Sequence, residues 1–299
     1  MNRLNYEKVF KTLVEETGNY LVNHSLRAMV LGVSGGIDST VVAAICCEVN
    51  KQTNIPLIGR SLPIKNKKDE FDVSTLVGEA FCNNFSVANL YDEYKYFLSG
   101  LVWREEGIDL LDDTETMHPE KSKQQTLIAN GNIQARLRMI YLYNLASIHN
   151  GLVMSTDNQT EYQLGFWTIH GDVGDFDPIQ DLWKTEVYQL AEWLKLFYYT
   201  DGDDADKAVA IGESIKLTPT DGLGISNSDL DQIGAKSYND VDRVLQTLVC
   251  PASPENDRVQ DALTVEIGPE IIDKIIKRRR NSRFKREKSP IYISRERYE

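Results

Sequence analysis

The stretch Gly32-Val33-Ser34-Gly35-Gly36-Ile37-Asp38-Ser39-Thr40 is the part of this sequence best suited to holding an anion. Its glycines allow a tight turn and a close approach of the backbone to a ligand. Where such a loop runs into a helix, free N–H groups and the positive end of the helix dipole face the same ligand. Ser34 and Ser39 add hydroxyl donors. No Lys-Ser/Thr pair closes the loop at Walker A spacing and there is no GxGxxG, which excludes two commoner phosphate loops. Asp38 is the informative residue. A carboxylate among phosphate-binding groups repels phosphate unless a divalent cation bridges them, so it implies Mg²⁺. The plainer alternative is a glycine-rich turn in which Asp38 or Ser39 only caps a helix.

Such a loop must sit between a strand and a helix. Ala28 to Val33 is a short continuous apolar run that predicts a buried strand, and a helix rich in Val and Ala follows from about Asp38 to Glu48. Leu4 to His24 has helical spacing in Val9, Phe10, Leu13, Val14, Tyr20 and Leu21. Ile55 to Leu62 predicts a second strand, and Leu76 to Phe81 belongs to a crossover helix. Asn132 to Ile148 predicts a helix with Ile133, Leu137, Ile140 and Leu145 on one side. Gly151 to Ser155 predicts the next strand. Lys184 to Phe197 predicts an amphipathic helix through Val187, Leu190, Ala191 and Leu194. This alternation predicts an α/β fold, a Rossmann-like parallel β-sheet with helices on both faces. Trp103 to Glu120, with seven acids and one arginine, reads as an acidic loop insertion, and Asp201 to Asp206 as an exposed acidic turn. One domain over residues 1–299 fits best.

Hydrophobic residues make up 41% and charged residues 26%, an ordinary globular balance. No apolar run approaches the ~18 residues of a membrane span, and Met1 to Glu16 lacks the apolar core of a signal peptide. The expectation is a soluble, cytoplasmic protein. Cys46, Cys47, Cys82 and Cys250 form no CxxC, so reduced thiols are expected. The net charge of −12 is unevenly spread: Lys277 to Glu299, the basic C-terminal arm, carries +7 and the rest −19. So acidic a body argues against nucleic acid as a partner. Composition alone reads the arm equally as a solvated tail or as a reach toward an anionic ligand.

The Ser34-Gly35-Gly36-Ile37-Asp38-Ser39 pattern resembles the phosphate loop of the ATP pyrophosphatases, which activate an oxygen by adenylation and release pyrophosphate. The resemblance implies a fold of that type, with Gly32, Val33, Ser34, Gly35, Gly36, Ile37, Asp38 and Ser39 around ATP. Further segments resemble the NAD synthetases within that group. They are Gly131 to Met139, Ser155 to Glu161, and Gly165 to Asp175 with Leu182-Trp183-Lys184; Thr218 to Leu223, Ser237 to Asp242 and Phe284-Lys285-Arg286 follow. The likeness gives Thr156, Lys184 and Thr220 to ATP, Asp38 and Glu161 to Mg²⁺, and Arg136, Asp175, Phe284 and Lys285 to deamido-NAD. Asp172 is the candidate for steering ammonium and taking its proton, since the attacking species is neutral NH₃; plain turn chemistry is its alternative. Arg136 and Arg138, two apart on a helix, cannot both face one ligand.

What the resemblance implies is amidation of deamido-NAD by ATP and ammonia through an acyl-adenylate, with Asp38, Asp172 and Lys184 as the catalytic set and a homodimer as the assembly. Only 31 residues precede Gly32, too few for a glutaminase domain, which points to free ammonia or a separate donor. Two positions depart from the family pattern: Ile169 stands where a lysine is usual, and Phe284 where histidine is usual. Both remove a polar contact to an anionic dinucleotide. Rival readings are a GMP synthetase-like amidotransferase and a non-catalytic nucleotide-binding relative.

Overall fold

The computed structural model describes residues 4–104, 123–200, 204–219, 229–249 and 263–287. Its centre is a four-stranded, all-parallel sheet ordered β3-β2-β1-β4, formed by β1 (Met29–Gly32), β2 (Leu57–Ser61), β3 (Asn84–Val87) and β4 (Leu152–Val153). The register pairs Met29 with Leu57 on one side of β1 and with Leu152 on the other. Successive side chains of a strand point to opposite faces, and here both faces are covered. Met29, Leu31 and Leu57 pack against α1 (Tyr6–Asn23), α2 (Ile37–Thr53), α3 (Lys68–Phe81), α7 (Lys184–Thr200) and α8 (Ala205–Lys216). Val30, Ile58 and Val153 pack on the opposite face against α4 (Tyr91–Arg104) and α5 (Lys123–His149). A parallel sheet buried on both sides needs continuous apolar strands, which is why β1 was legible as one.

A third apolar cluster unites α6 (Gln159–Leu164), α9 (Asp229–Ile233), α10 (Tyr238–Val249) and the C-terminal helix Pro269–Asn281. It includes Leu164, Val241, Leu245 and Ile275, each fully buried and each worth roughly 1.5–3 kcal/mol of transfer free energy. Among the described residues no helix is long and apolar enough to cross a membrane.

The expected helices and strands are present, with corrections. On α5 the buried stripe is Ala135, Met139, Leu142 and Ala146, while Ile140 is 66% exposed. Apolar residues occur all round this helix, so periodicity did not single out the inner face. β3 and α4 had no signal: β3 is only four residues long and largely exposed, and α4 mixes buried Tyr94 with exposed Tyr96. In the acidic turn, Asp204 caps α8 by accepting the Lys207 N–H at 3.3 Å; residues 201–203 lie outside the described residues. So does the 103–120 insertion beyond the end of α4, and so does Cys250. Cys46, Cys47 and Cys82 are free thiols.

Candidate active site

From β1 the sheet grows through β2 to β3 on one side, while β4 adds on the other. That reversal opens a crevice at the carboxyl ends of β1 and β4, where open α/β sheets bind ligands. The loop after β1 lies on one wall. Gly35 has φ +83°, and a Cβ there would meet Ser74 N at 2.7 Å and Glu70 O at 2.9 Å, so both conformation and the nearness of α3 require glycine. Ser214 of α8 holds the loop from behind by donating to Gly35 O at 2.8 Å. Ser34 and Ser39 hydroxyls lie 2.9 Å apart, and Gly36 N–H donates to Ser34 Oγ at 3.2 Å. Gly36 caps α2 without a side-chain bond, and Asp38 lies in the first turn.

The segment after β4 supplies the other wall. Asn158 caps α6 in a reciprocal box: its side chain accepts the Glu161 N–H at 3.1 Å, and Glu161 accepts the Asn158 N–H at 3.2 Å. The box fixes the Glu161 carboxylate, and Asn158 Nδ2 donates to Asp38 Oδ1 at 2.8 Å. Lys184, the first residue of α7, completes the set. Its Nζ lies 2.5 Å from Asp38 Oδ2, 3.0 Å from Glu161 Oε1 and 5.5 Å from the Tyr238 ring centroid. Burial alone would push this ammonium down, but Asp38 and Glu161 hold it well above the usual lysine range.

These groups line a cleft of about 420 Å³ together with Thr156, Asp157, Asp172, Trp167 and Lys285. Asp172 accepts the Thr168 N–H at 2.7 Å. Burial raises its pKa, against the pull of that hydrogen bond and of Lys285 and Arg138. Burial likewise raises Asp157, reinforced by Glu161, Asp172 and Asp177. Burial, with the Asp38 charge, also takes Asp177 up to about 7, and one of its oxygens is buried without a hydrogen-bond partner. Asp38, Glu161, Asp157 and Asp172 make the cleft rich in carboxyl groups.

The C-terminal arm is partly structured. Arg286 donates to Gln163 O at 2.6 Å, Arg278 to Leu164 O at 3.2 Å, and Lys285 to Gly165 O at 2.7 Å and to Trp167 O. These cations meet the carbonyl end of α6, where helix dipoles favour positive charge. Gly165, at φ +69°, leaves room for Ser282, which a Cβ would meet at 2.4 Å. Arg278 also lies 4.1 Å over the Phe166 ring.

Asp38, Glu161, Lys184, Thr156, Asp172 and Lys285 thus come together. Arg136, Asp175 and Phe284 do not line this cleft. Arg136 is exposed and donates to Ile169 O at 2.9 Å; Asp175 is exposed and accepts from Tyr143 Oη and Val153 N, each at 3.1 Å. Phe284 is 53% exposed. Thr220 lies outside the described residues. The two arginines diverge as their spacing required: Arg138 turns inward to Leu62 O at 3.0 Å and Asn66 Oδ1 at 3.1 Å. Sequence reasoning missed Asn158, although Asn158-Gln159-Thr160-Glu161 is a capping-box spacing that could have revealed it. It also missed Asn66, in the loop before α3, and Glu70, in the first turn of α3, both of which line the cleft.

A family model described as NAD synthase matches residues 9–289. A "NH(3)-dependent NAD(+) synthetase" of Thermoplasma volcanium is 32% identical over 224 residues, 74% of this chain and 77% of that protein. One of the same description from Methanococcoides burtonii is 31% identical over 277 residues, 92% of this chain and 90% of the relative. The solved structure of NMN synthetase from Francisella tularensis matches with TM-score 0.72 at 23% identity, covering 98% of this chain and all of the other; at that identity the likeness speaks for the fold alone. The crevice, its loop and these matches lead to one assignment: the chain belongs to the NAD synthase family.

Proposed function

We propose that this chain amidates deamido-NAD to NAD, using ATP and ammonia and releasing AMP and pyrophosphate through an acyl-adenylate. The observation that carries the reading is the meeting of Asp38, Glu161 and Lys184 beside a glycine-rich loop at the sheet's switch point. The names of the curated relatives support the same reaction.

In this reading the loop from Gly32 to Ser39, with Thr156, Lys184 and Thr220, binds ATP. Asp38 and Glu161 would hold Mg²⁺. Their oxygens already share one cation, the Lys184 ammonium, and among the described residues no group of three or more His, Cys, Asp or Glu could cage a metal. That donor set suits Mg²⁺, which takes one or two carboxylates and fills its octahedron with phosphate and water. When bound, the metal supplies charge neutralisation on the triphosphate. The chain's own groups do the rest. Loop amides and Lys184 draw negative charge, so that a nicotinate carboxylate can approach the α-phosphorus. Asp172, its pKa raised by burial, steers ammonium and takes the proton that frees NH₃ for attack on the acyl-adenylate.

On the acid side Lys285 reaches deamido-NAD from the cleft wall, with Arg136, Asp175 and Phe284 on the outer surface. A homodimer accounts for that split. Ile140, 66% exposed, shares the outer face of α5 with Arg136 and Tyr143. A second copy covering this face would enclose the outer residues. We place the protein in the cytoplasm, read residues 1–299 as one catalytic unit, and take free ammonia or a separate donor as the nitrogen source.

The deciding experiment is steady-state release of pyrophosphate with ATP, Mg²⁺, NH₄⁺ and one acid at a time. Release with deamido-NAD exceeding that with nicotinate mononucleotide or a xanthine nucleotide is expected. Preference for another acid would overturn the substrate, and silence with all three would leave a nucleotide-binding protein without this activity.

A further inference from the structure

Asp242 of α10 is 1% exposed, yet it touches the two helices that carry Glu161 and Lys184. Its Oδ1 accepts the Thr160 hydroxyl at 2.5 Å, and its Oδ2 accepts the Thr185 N–H at 2.9 Å. The Thr160 oxygen in turn accepts the Lys184 N–H at 2.9 Å. One carboxylate is thereby tied to the residue before Glu161, to Lys184 and to the residue after it.

Burying a charge is costly unless hydrogen bonds replace its water. Burial raises the Asp242 pKa, while the bonds from Thr160 and Thr185 pull it back. The site also suits an anion, because the first-turn amides of α7 point outward there. Glu186 accepts the Trp183 N–H at 2.9 Å, so Trp183, Lys184 and Thr185 all have acceptors at this helix start. Behind Asp242 stand Val241 and Leu245, both fully buried in the C-terminal apolar cluster. Packing of that cluster thus reaches the cleft through Asp242 as well as through Leu164 of α6, which belongs to the cluster.

We propose that Asp242 is a positioning residue for the reaction: through Thr160 and the first-turn amides of α7 it sets Glu161 and Lys184 against Asp38. The proposal rests on the reading of Glu161 and Lys184 as the metal and ATP groups. Its geometric core is a relay in which the Thr160 hydroxyl donates to Asp242 and accepts from Lys184.

The test uses the full chain with three changes. Asp242→Asn preserves shape, but its amide nitrogen cannot accept, so either Thr160 or Thr185 loses its acceptor. Thr160→Val removes the relay hydroxyl, and Thr160→Ser keeps it. Asp242→Asn and Thr160→Val should each lower kcat and weaken Mg·ATP binding by about 10- to 100-fold, the usual size of an outer-shell effect. KM for deamido-NAD should stay nearly constant. Thr160→Ser should restore most of what Thr160→Val loses, and the double variant should be little worse than the poorer single one, because both break one relay. Should Asp242→Asn fail to fold, the Thr160 pair still decides. Variants that melt at lower temperature but keep kcat and Mg·ATP affinity would overturn the positioning role, as would fully multiplicative losses. A wild-type chain that binds no Mg·ATP would instead overturn the reading of the cleft beneath it.

Discussion

Lys184 Nζ stands 2.5 Å from Asp38 Oδ2, joining the first turn of α7 to the first turn of α2 across the mouth of the crevice. Asp38 also accepts from Asn158 at 2.8 Å, so its carboxylate is fixed from two sides. Asp38→Asn keeps the shape and removes the charge that a metal beside the triphosphate needs. Pyrophosphate release should fall below a tenth of wild type at saturating Mg²⁺, at least ~1.4 kcal/mol of transition-state stabilisation. Binding of deamido-NAD without ATP should hardly change. Activity above that tenth would refute the metal assignment.

The same ion pair makes Lys184 a competitor for the cation site. Its ammonium, 3% exposed, satisfies both Asp38 and Glu161. Lys184→Met leaves the two carboxylates facing each other without a counter-charge, so a divalent ion should bind more tightly although turnover is lost. In the absence of ATP, Mn²⁺ affinity followed by the signal of the free ion should rise about tenfold, or ~1.4 kcal/mol. Unchanged or weaker binding would mean that the two carboxylates do not form one site.

Asp177 predicts a pH effect on stability. Burial first, then the Asp38 charge, puts this carboxyl at about 7, against ~3.9 for an unfolded aspartate. Between those values the folded chain holds a proton that the unfolded chain has released. Stability therefore falls as pH rises from about 4 through about 7. Asp177→Asn abolishes the titration. In ligand-free urea unfolding the variant should gain on wild type by on the order of 2–4 kcal/mol above pH 7, with the gain shrinking toward pH 4. A difference independent of pH would show that Asp177 is not the group responsible.

The legible parts of this protein are those whose pattern is local. β1 and its loop could be read because a strand buried on both faces is apolar throughout and the turn after it needs Gly35. Val187, Leu190, Ala191 and Leu194 of α7 are fully buried, as their spacing required. What escaped depends on distant partners. Asn158 reaches Asp38 across 120 residues, and Asp242 reaches Thr160 across 82. No periodicity encodes such contacts. The inner face of α5 escaped for another reason: Ile140 has the spacing of a core residue on a helix whose outer surface is also apolar.

That outer surface yields the assembly prediction. Wild type should scatter light with about twice the 34.0 kDa chain mass at micromolar concentration. Ile140→Glu adds a charge at a position 66% exposed in the single chain, so folding should change by no more than ~0.5 kcal/mol. It should nevertheless halve the mass and raise KM for deamido-NAD, leaving ATP binding alone. A concentration-independent monomer with full activity would sink the homodimer and the shared acid site together.

The last prediction concerns Lys285. The acidic body repels a dinucleotide bearing two phosphates and a carboxylate, so cations must be carried to it, and Ile169 offers none. Lys285 lines the cleft while its ammonium bonds Gly165 O and Trp167 O. Burial pushes its pKa down and Arg278 adds to this, with Asp172 opposing. An ammonium held by neutral carbonyls keeps its charge available to an incoming anion. Lys285→Ala should raise KM for deamido-NAD by the equivalent of about 1–3 kcal/mol, the range of a charge-assisted hydrogen bond. ATP affinity measured alone should stay near wild type, and the loss should shrink as salt screens the contact. Removing residues after Arg280 should act in the same direction more strongly, since Arg286 leaves Gln163 O at the same time. Unaltered KM in both proteins would make Lys285 a cap on the end of α6 and nothing more.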